Sequence, residues 1–152
     1  MEIKHHKLYV DGQPVPYRLT PNRSSSFKPT GIVIHDTAGR LTPGNSVEYL
    51  CNPEVDASAH FVIERDAAIT QLAPLNVATW HAGRSSWQGR AGCNQFSFGI
   101  EIVNPGPLTK VGDGFKAWFK KTYSAPELEI ERASTPQHGD HYWMDYTEKQ
   151  ID

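Results

Sequence analysis

Two short β-branched runs, each carrying one titratable side chain, constrain this chain more than anything else in it. Gly31-Ile32-Val33-Ile34 closes on His35, and Phe98-Gly99-Ile100-Glu101-Ile102-Val103 holds a single carboxylate among apolar neighbours. Runs of this length and composition read as strands. The first, with nothing polar before its histidine, reads as a strand buried on both faces. A carboxylate in the second needs a reason, because burial penalises its charged form and raises its pKa. Either Glu101 occupies a desolvated site where a raised pKa suits proton transfer, or strand alternation turns it outward to water. Periodicity leaves both open.

The remaining elements frame these two strands. Lys7 to Val10, Asp11-Gly12 and Gln13 to Tyr17 predict a small hairpin, since Asp-Gly supplies the positive φ angles of a two-residue turn. Its prolines keep it peripheral. Thr20 to Pro29, rich in Ser, Pro and Asn, reads as a surface connection. Asn45 to Leu50 has approximate helical spacing, closed by Pro53. Ala59 to Glu64 and Ala68 to Leu72, linked through Arg65-Asp66, predict a β-hairpin. Beyond Asn104-Pro105-Gly106-Pro107 the pattern loosens: Phe115 to Tyr123 has mixed spacing, and Ser134 to Asp140 reads as a polar loop. Tyr146-Thr147-Glu148 reads as a helix start that Asp152 cuts off. A compact domain rarely ends on a helix just begun, so a C-terminal portion is expected to be missing.

Composition narrows the function classes. At 152 residues the chain is expected to be a single domain, residues 1–152, with its core beginning at Gly31. Lys plus Arg at 15 nearly balances Asp plus Glu at 17, which argues against a nucleic-acid partner. No apolar run is long enough to insert in a membrane, and no signal peptide is visible. Cys51 and Cys93 are read as reduced thiols, Cys93 as a packed one. The phosphate-loop, dinucleotide and C-x-x-C patterns and the G-x-S-x-G elbow are all absent. Three histidines remain, His35, His60 and His81. Facing one cleft they would suit a metal hydrolase, but each reads equally well as a hydrogen-bonded, partly buried side chain. His5 and His6 read as a solvated terminus.

Four segments in order carry a resemblance: Gly31-Ile-Val-Ile-His35, Ser58-Ala-His-Phe-Val-Ile63, Trp80-His-Ala-Gly83, and Gln88 through Ile102 with Arg90, Asn94 and Glu101 inside it. Together they resemble the N-acetylmuramoyl-L-alanine amidase family, the zinc amidases that include phage amidases and peptidoglycan recognition proteins. In the phage and recognition branches a tyrosine precedes the histidine equivalent to His60. Here that residue is Ala59, so the cytosolic branch that recycles anhydro-muropeptides is the better match. The resemblance implies an α/β fold, a central mixed β-sheet flanked by helices on both faces. It implies hydrolysis of the amide between N-acetylmuramic acid and L-alanine in peptidoglycan or muropeptides. His35 would be a Zn2+ ligand and Glu101 the general base. Trp80 and His81 would line the cleft, and Arg90 and Asn94 would hold the substrate.

The family's other two zinc ligands follow the helix that begins here near Thr147, beyond the last residue. His138 and His141, spaced i to i+3, are the substitutes this sequence offers. Gly92 stands where the recycling branch often has an arginine that grips the stem peptide. The alternative function is therefore a muropeptide-binding module or inactive fragment. An uncovered sheet face implies self-association or a complementing C-terminal fragment. The implied location is the cytoplasm, with a phage endolysin as the alternative.

Overall fold

The computed structural model describes residues 1–124 and 129–152. At the N-terminus β1 (Glu2–Lys4), β2 (Lys7–Val10) and β3 (Gln13–Pro14) form an antiparallel sheet. Asp11 and Gly12 turn β2 into β3 with φ of 50° and 77°, both positive as the Asp-Gly pair predicts. His5 and His6, at φ 48° and 64°, form the turn between β1 and β2 and are exposed, in line with the solvated reading. β4 (Arg23–Ser26) lies in the stretch read as a surface connection. That stretch is anchored: Asn22 is buried, and its side-chain amide donates to the carbonyls of Asn52, Val55 and Ala57.

The site is built on the next elements. β5 (Gly31–Asp36) leads to α1 (Asn45–Leu50), and β6 (Phe61–Ile63) and β7 (Ile69–Gln71) form the predicted hairpin. β8 (Val77–Thr79) pairs with β4, and β9 (Ser86–Trp87) with β10 (Arg90–Ala91). β11 (Ser97–Ile102) then inserts between β5 and β6, parallel to both, giving the order β5-β11-β6-β7. Val47 and Leu50 of α1 close the core against Val62, Leu72 and Val103. β5 is an edge strand, and Ile32 and Ile34 are 61% and 64% exposed, so its expected burial on both faces does not hold.

The loosely patterned C-terminal stretch is a second sheet. β12 (Leu108–Val111), β13 (Gly114–Ala117), β14 (Thr122–Ser124), β15 (Ile130–Thr135) and β16 (Gly139–Met144) pair antiparallel in the order β14-β13-β12-β16-β15. Leu108, Phe115, Ala117 and Met144 form its core. The predicted polar loop is the β15-β16 hairpin. α2 (Glu148–Ile151) starts where expected, with Thr147 and Gln150 forming a capping box.

The expected fold class is therefore corrected. Helices do not flank the sheet on both faces: among the described residues there are two short ones, and only α1 gives apolar side chains to the first core. The physical reason lies in two segments. Between β7 and β11, Pro74 removes a helical donor, while Gly83, Gly89 and Gly92 take positive φ. In β13 burial follows period two, with Phe115 and Ala117 buried and Lys116 exposed. Gly112 and Gly139 sit in turns at φ 57° and 69°.

Candidate active site

Parallel pairing sets Glu101 level with His35 on adjacent strands, so both side chains leave the same face of the sheet. They floor a cleft of about 930 Å³ that is also lined by Asp36, by Tyr49 from α1 and by Trp118 from the turn after β13. Burial, and then the negative charge of Asp36, push the Glu101 carboxyl up to about 7. Burial also raises Asp36, whose Oδ1 accepts the Ala38 N–H at 2.6 Å. Both carboxylates add to the rise that burial produces at Tyr146.

His35 is held by a second histidine. The His81 ring lies against Gly99: a Cβ on that glycine would stand 2.4 Å from His81 Cγ, inside any real contact. His81 Nε2 is 3.1 Å from the Ser97 carbonyl. A carbonyl only accepts, so Nε2 carries the proton and Nδ1 is bare. That Nδ1 is 3.0 Å from His35 Nε2, which must then be the donor. The remaining nitrogen, His35 Nδ1, keeps a free lone pair, since no described group bonds it. Burial keeps both rings neutral near pH 7, lowering His35 and bringing His81 down to about 4. Asn94 braces the assembly from behind, its Oδ1 accepting the N–H groups of His81 and Ala82 at 3.0 and 2.7 Å.

His60 follows the other reading of its residue type. It is fully buried, Nδ1 accepts from the Gly99 N–H, and Nε2 donates to the Val77 carbonyl at 2.9 Å. Burial holds its pKa at about 4 against an ordinary 6.5. As pH falls below 6.5 the unfolded chain therefore takes up protons that folded His60 and His81 refuse, and stability is lost down to about pH 4. His35 adds to this loss, while Glu101, between 4.5 and about 7, and Asp36 act in the opposite sense, so three histidines oppose two carboxyls. The urea midpoint is expected to fall between pH 6.5 and 4.5; a flat or rising profile in a denaturation series contradicts this.

The other expected site residues stand outside the first cleft, although the charge of His138 reaches Asp36. Arg90 lines a second cleft, of about 830 Å³, which meets the first at His35. Its guanidinium lies 3.9 Å from the Phe96 ring centroid and donates to Thr30. Trp80 lines neither cleft, and its indole N–H donates to the Ser24 hydroxyl at 3.0 Å. His138 stands at the exposed turn of the β15-β16 hairpin, with its ring against Trp143, and His141 pairs with Ala133 in the same hairpin. Among the described residues no three His, Cys, Asp or Glu side chains converge to hold a metal ion. Sequence reasoning missed Asp36, Gly99 and Trp118. Of these Gly99 had a readable signal, since glycine inside a strand marks a close approach.

Residues 25–152 match the family model described as N-acetylmuramoyl-L-alanine amidase. The chain belongs to that family. The 1,6-anhydro-N-acetylmuramyl-L-alanine amidase AmpD of Escherichia coli (strain K12) is 53% identical over 111 residues, 61% of this chain and 60% of that protein. AmpD of Salmonella typhimurium (strain LT2) is 33% identical, covering 61% of this chain and 58% of that protein. The N-acetylmuramoyl-L-alanine amidase XlyA of Bacillus subtilis is 35% identical over 137 residues, 85% of this chain and 42% of that protein. This family member thus spans about three fifths of the length of the AmpD relatives. A crystal structure of an AmpD derivative aligns with TM-score 0.53 and 27% identity, covering 68% of this chain and 66% of that one. The amidase fold is present, although among the described residues helices do not flank the sheet on both faces.

Proposed function

We propose that the chain hydrolyses the amide between N-acetylmuramic acid and L-alanine in a muropeptide, of the 1,6-anhydro kind for which its AmpD relatives are named. The observation that carries this is Glu101 beside His35 on the cleft floor, with its carboxyl near neutrality. At pH 7 about half of the Glu101 side chains are ionised and able to take a proton from a water molecule. The water oxygen bonds to the lactyl carbonyl carbon, the C–N bond breaks, and the carboxyl returns the proton to the departing L-alanine nitrogen. His35, neutral and held by His81, stands beside the reacting amide, with Gly99 and Asn94 keeping that pair in place. Residues 31 to 104 are the functional core of this reading.

The family is generally zinc-dependent, and His35 Nδ1 offers one ligand. A catalytic zinc takes three protein ligands and a water, and the described residues do not assemble that set. The donors do not fit, so no step above is routed through the ion. This chain is expected to bind zinc more weakly than about 1 µM by calorimetry. A stoichiometric, tighter site would contradict it. The same donor count favours a second reading, a module that binds muropeptide without cleaving it.

Mass spectrometry on a 1,6-anhydro-N-acetylmuramyl peptide, with zinc supplied, separates the two. Release of the L-alanyl peptide supports hydrolysis. Binding without release supports the module, and the absence of both binding and release overturns both readings. No described helix is long and apolar enough to cross a membrane. We place the activity in the cytoplasm, in muropeptide recycling, on the likeness to AmpD.

A further inference from the structure

Trp118 is a large apolar side chain at 72% exposure, which core packing does not explain. Its orientation is fixed nonetheless. The indole N–H donates to the Ala38 carbonyl at 2.6 Å, in the loop that follows His35 and Asp36. Phe119 meets the indole edge-on with centroids 5.6 Å apart, and the Arg40 guanidinium covers Phe119 in turn at 5.4 Å. An indole with its N–H satisfied and its faces in water is a rigid platform, and it lines the same cleft as Glu101. Tyr49, 59% exposed, lines that cleft from α1.

The two clefts that meet at His35 differ in charge. The first has three carboxylates, Asp36, Glu48 and Glu101, against the exposed basic groups Arg40 and Lys120. The second has Arg90 and no carboxylate among its lining residues. A muramoyl peptide cut at its lactyl amide has an uncharged pyranose with an apolar C–H face on one side and an acidic peptide on the other. Arg40 and Lys120 nearly balance the carboxylates of the first cleft, so an acidic peptide finds no net attraction there, whereas Arg90 attracts it to the second. Each cleft has an exposed tryptophan, Trp118 in the first and Trp87 in the second; with the acidic peptide held at Arg90, the pyranose fits the first, where the flat indole can cover its C–H groups.

Resting on the amidase reading above, we propose that Trp118 is the stacking platform for the sugar, which enters the cleft between α1 and the β13-β14 turn. The acidic peptide lies in the Arg90 cleft. Trp118 is thereby a specificity-determining residue contributed by the second sheet.

The test is binding of the two halves separately, 1,6-anhydro-N-acetylmuramic acid with its lactyl carboxyl capped as the primary amide and the L-alanyl peptide, to the whole chain by NMR titration. The Trp118 indole N–H signal is expected to shift with the sugar and not with the peptide. Trp118→Ala is expected to weaken sugar binding about tenfold or more and leave peptide binding within about twofold, with Trp118→Tyr restoring most of the loss. Arg90→Ala should show the reverse. Retained peptide binding shows that the variant is folded; if Trp118→Ala does not fold, the wild-type indole shift decides alone. Sugar bound equally by wild type and Trp118→Ala, or an indole that answers to the peptide, overturns the subsite and leaves the amidase reading standing. If the sugar half alone fails to bind the wild-type chain, the subsite is overturned; if neither half binds, both readings are.

Discussion

Glu101→Gln is expected to lower kcat for amide cleavage by about 100- to 10,000-fold and, at pH 8, to raise the melting temperature. The two effects share one cause. Burial lifts the carboxyl from 4.5 to about 7, so the folded protein holds a proton that the unfolded chain releases. Ionisation therefore opposes folding from pH 4.5 upward, and the cost is complete above about 7. Glutamine keeps the shape and removes the charge, a gain of up to about 2 kcal/mol at pH 8. The gain should vanish at pH 4, where both side chains are neutral. Activity lost together with stability at pH 8 would make Glu101 a structural residue. Unchanged activity would remove it from the chemistry.

Gly99→Ala is the second large effect, and it touches neither proposed reacting residue. The new methyl would stand 2.4 Å from His81 Cγ and 2.6 Å from its Cβ. With its backbone N–H held by Asn94 and its ring Nε2 held by the Ser97 carbonyl, His81 has no free end to swing aside. Displacing it breaks the His35–His81 hydrogen bond, so destabilisation of about 1–3 kcal/mol is expected. Cleavage should fall by about 100-fold from the misplaced imidazole. Urea unfolding and a 15N histidine spectrum measure both consequences. In the wild type, His35 should be protonated at Nε2 and bare at Nδ1, and the variant should show mixed tautomers. A variant with wild-type stability and spectrum would show that the ring contact is not what holds His35.

The half of the site made by local pattern was legible in the sequence. A β-branched run ending in histidine and another enclosing a carboxylate became neighbouring parallel strands, with His35 opposite Glu101. What periodicity could not supply was the partner strand and the open side. β5 forms an edge, so Ile32 and Ile34 are exposed, while the central position went to β11, whose carboxylate faces the cleft. Histidine roles were equally illegible. His60 and His81 are both strongly depressed by burial, yet one bonds only to its own scaffold and the other holds His35. That difference comes from contacts 46 residues apart in the chain. The second sheet was missed because its apolar alternation is short and interrupted by lysines and turn glycines. Trp118, reaching the cleft from that sheet, therefore had no sequence signal.

The titration of the Glu101 side chain, followed by 13C NMR on protein labelled at glutamate, measures the desolvated base directly and without substrate or metal. A midpoint near 7 is the result expected for a carboxyl set on the cleft floor beside Asp36. A midpoint at the ordinary 4.5 would mean that water reaches it freely, and the site would lose its proton carrier.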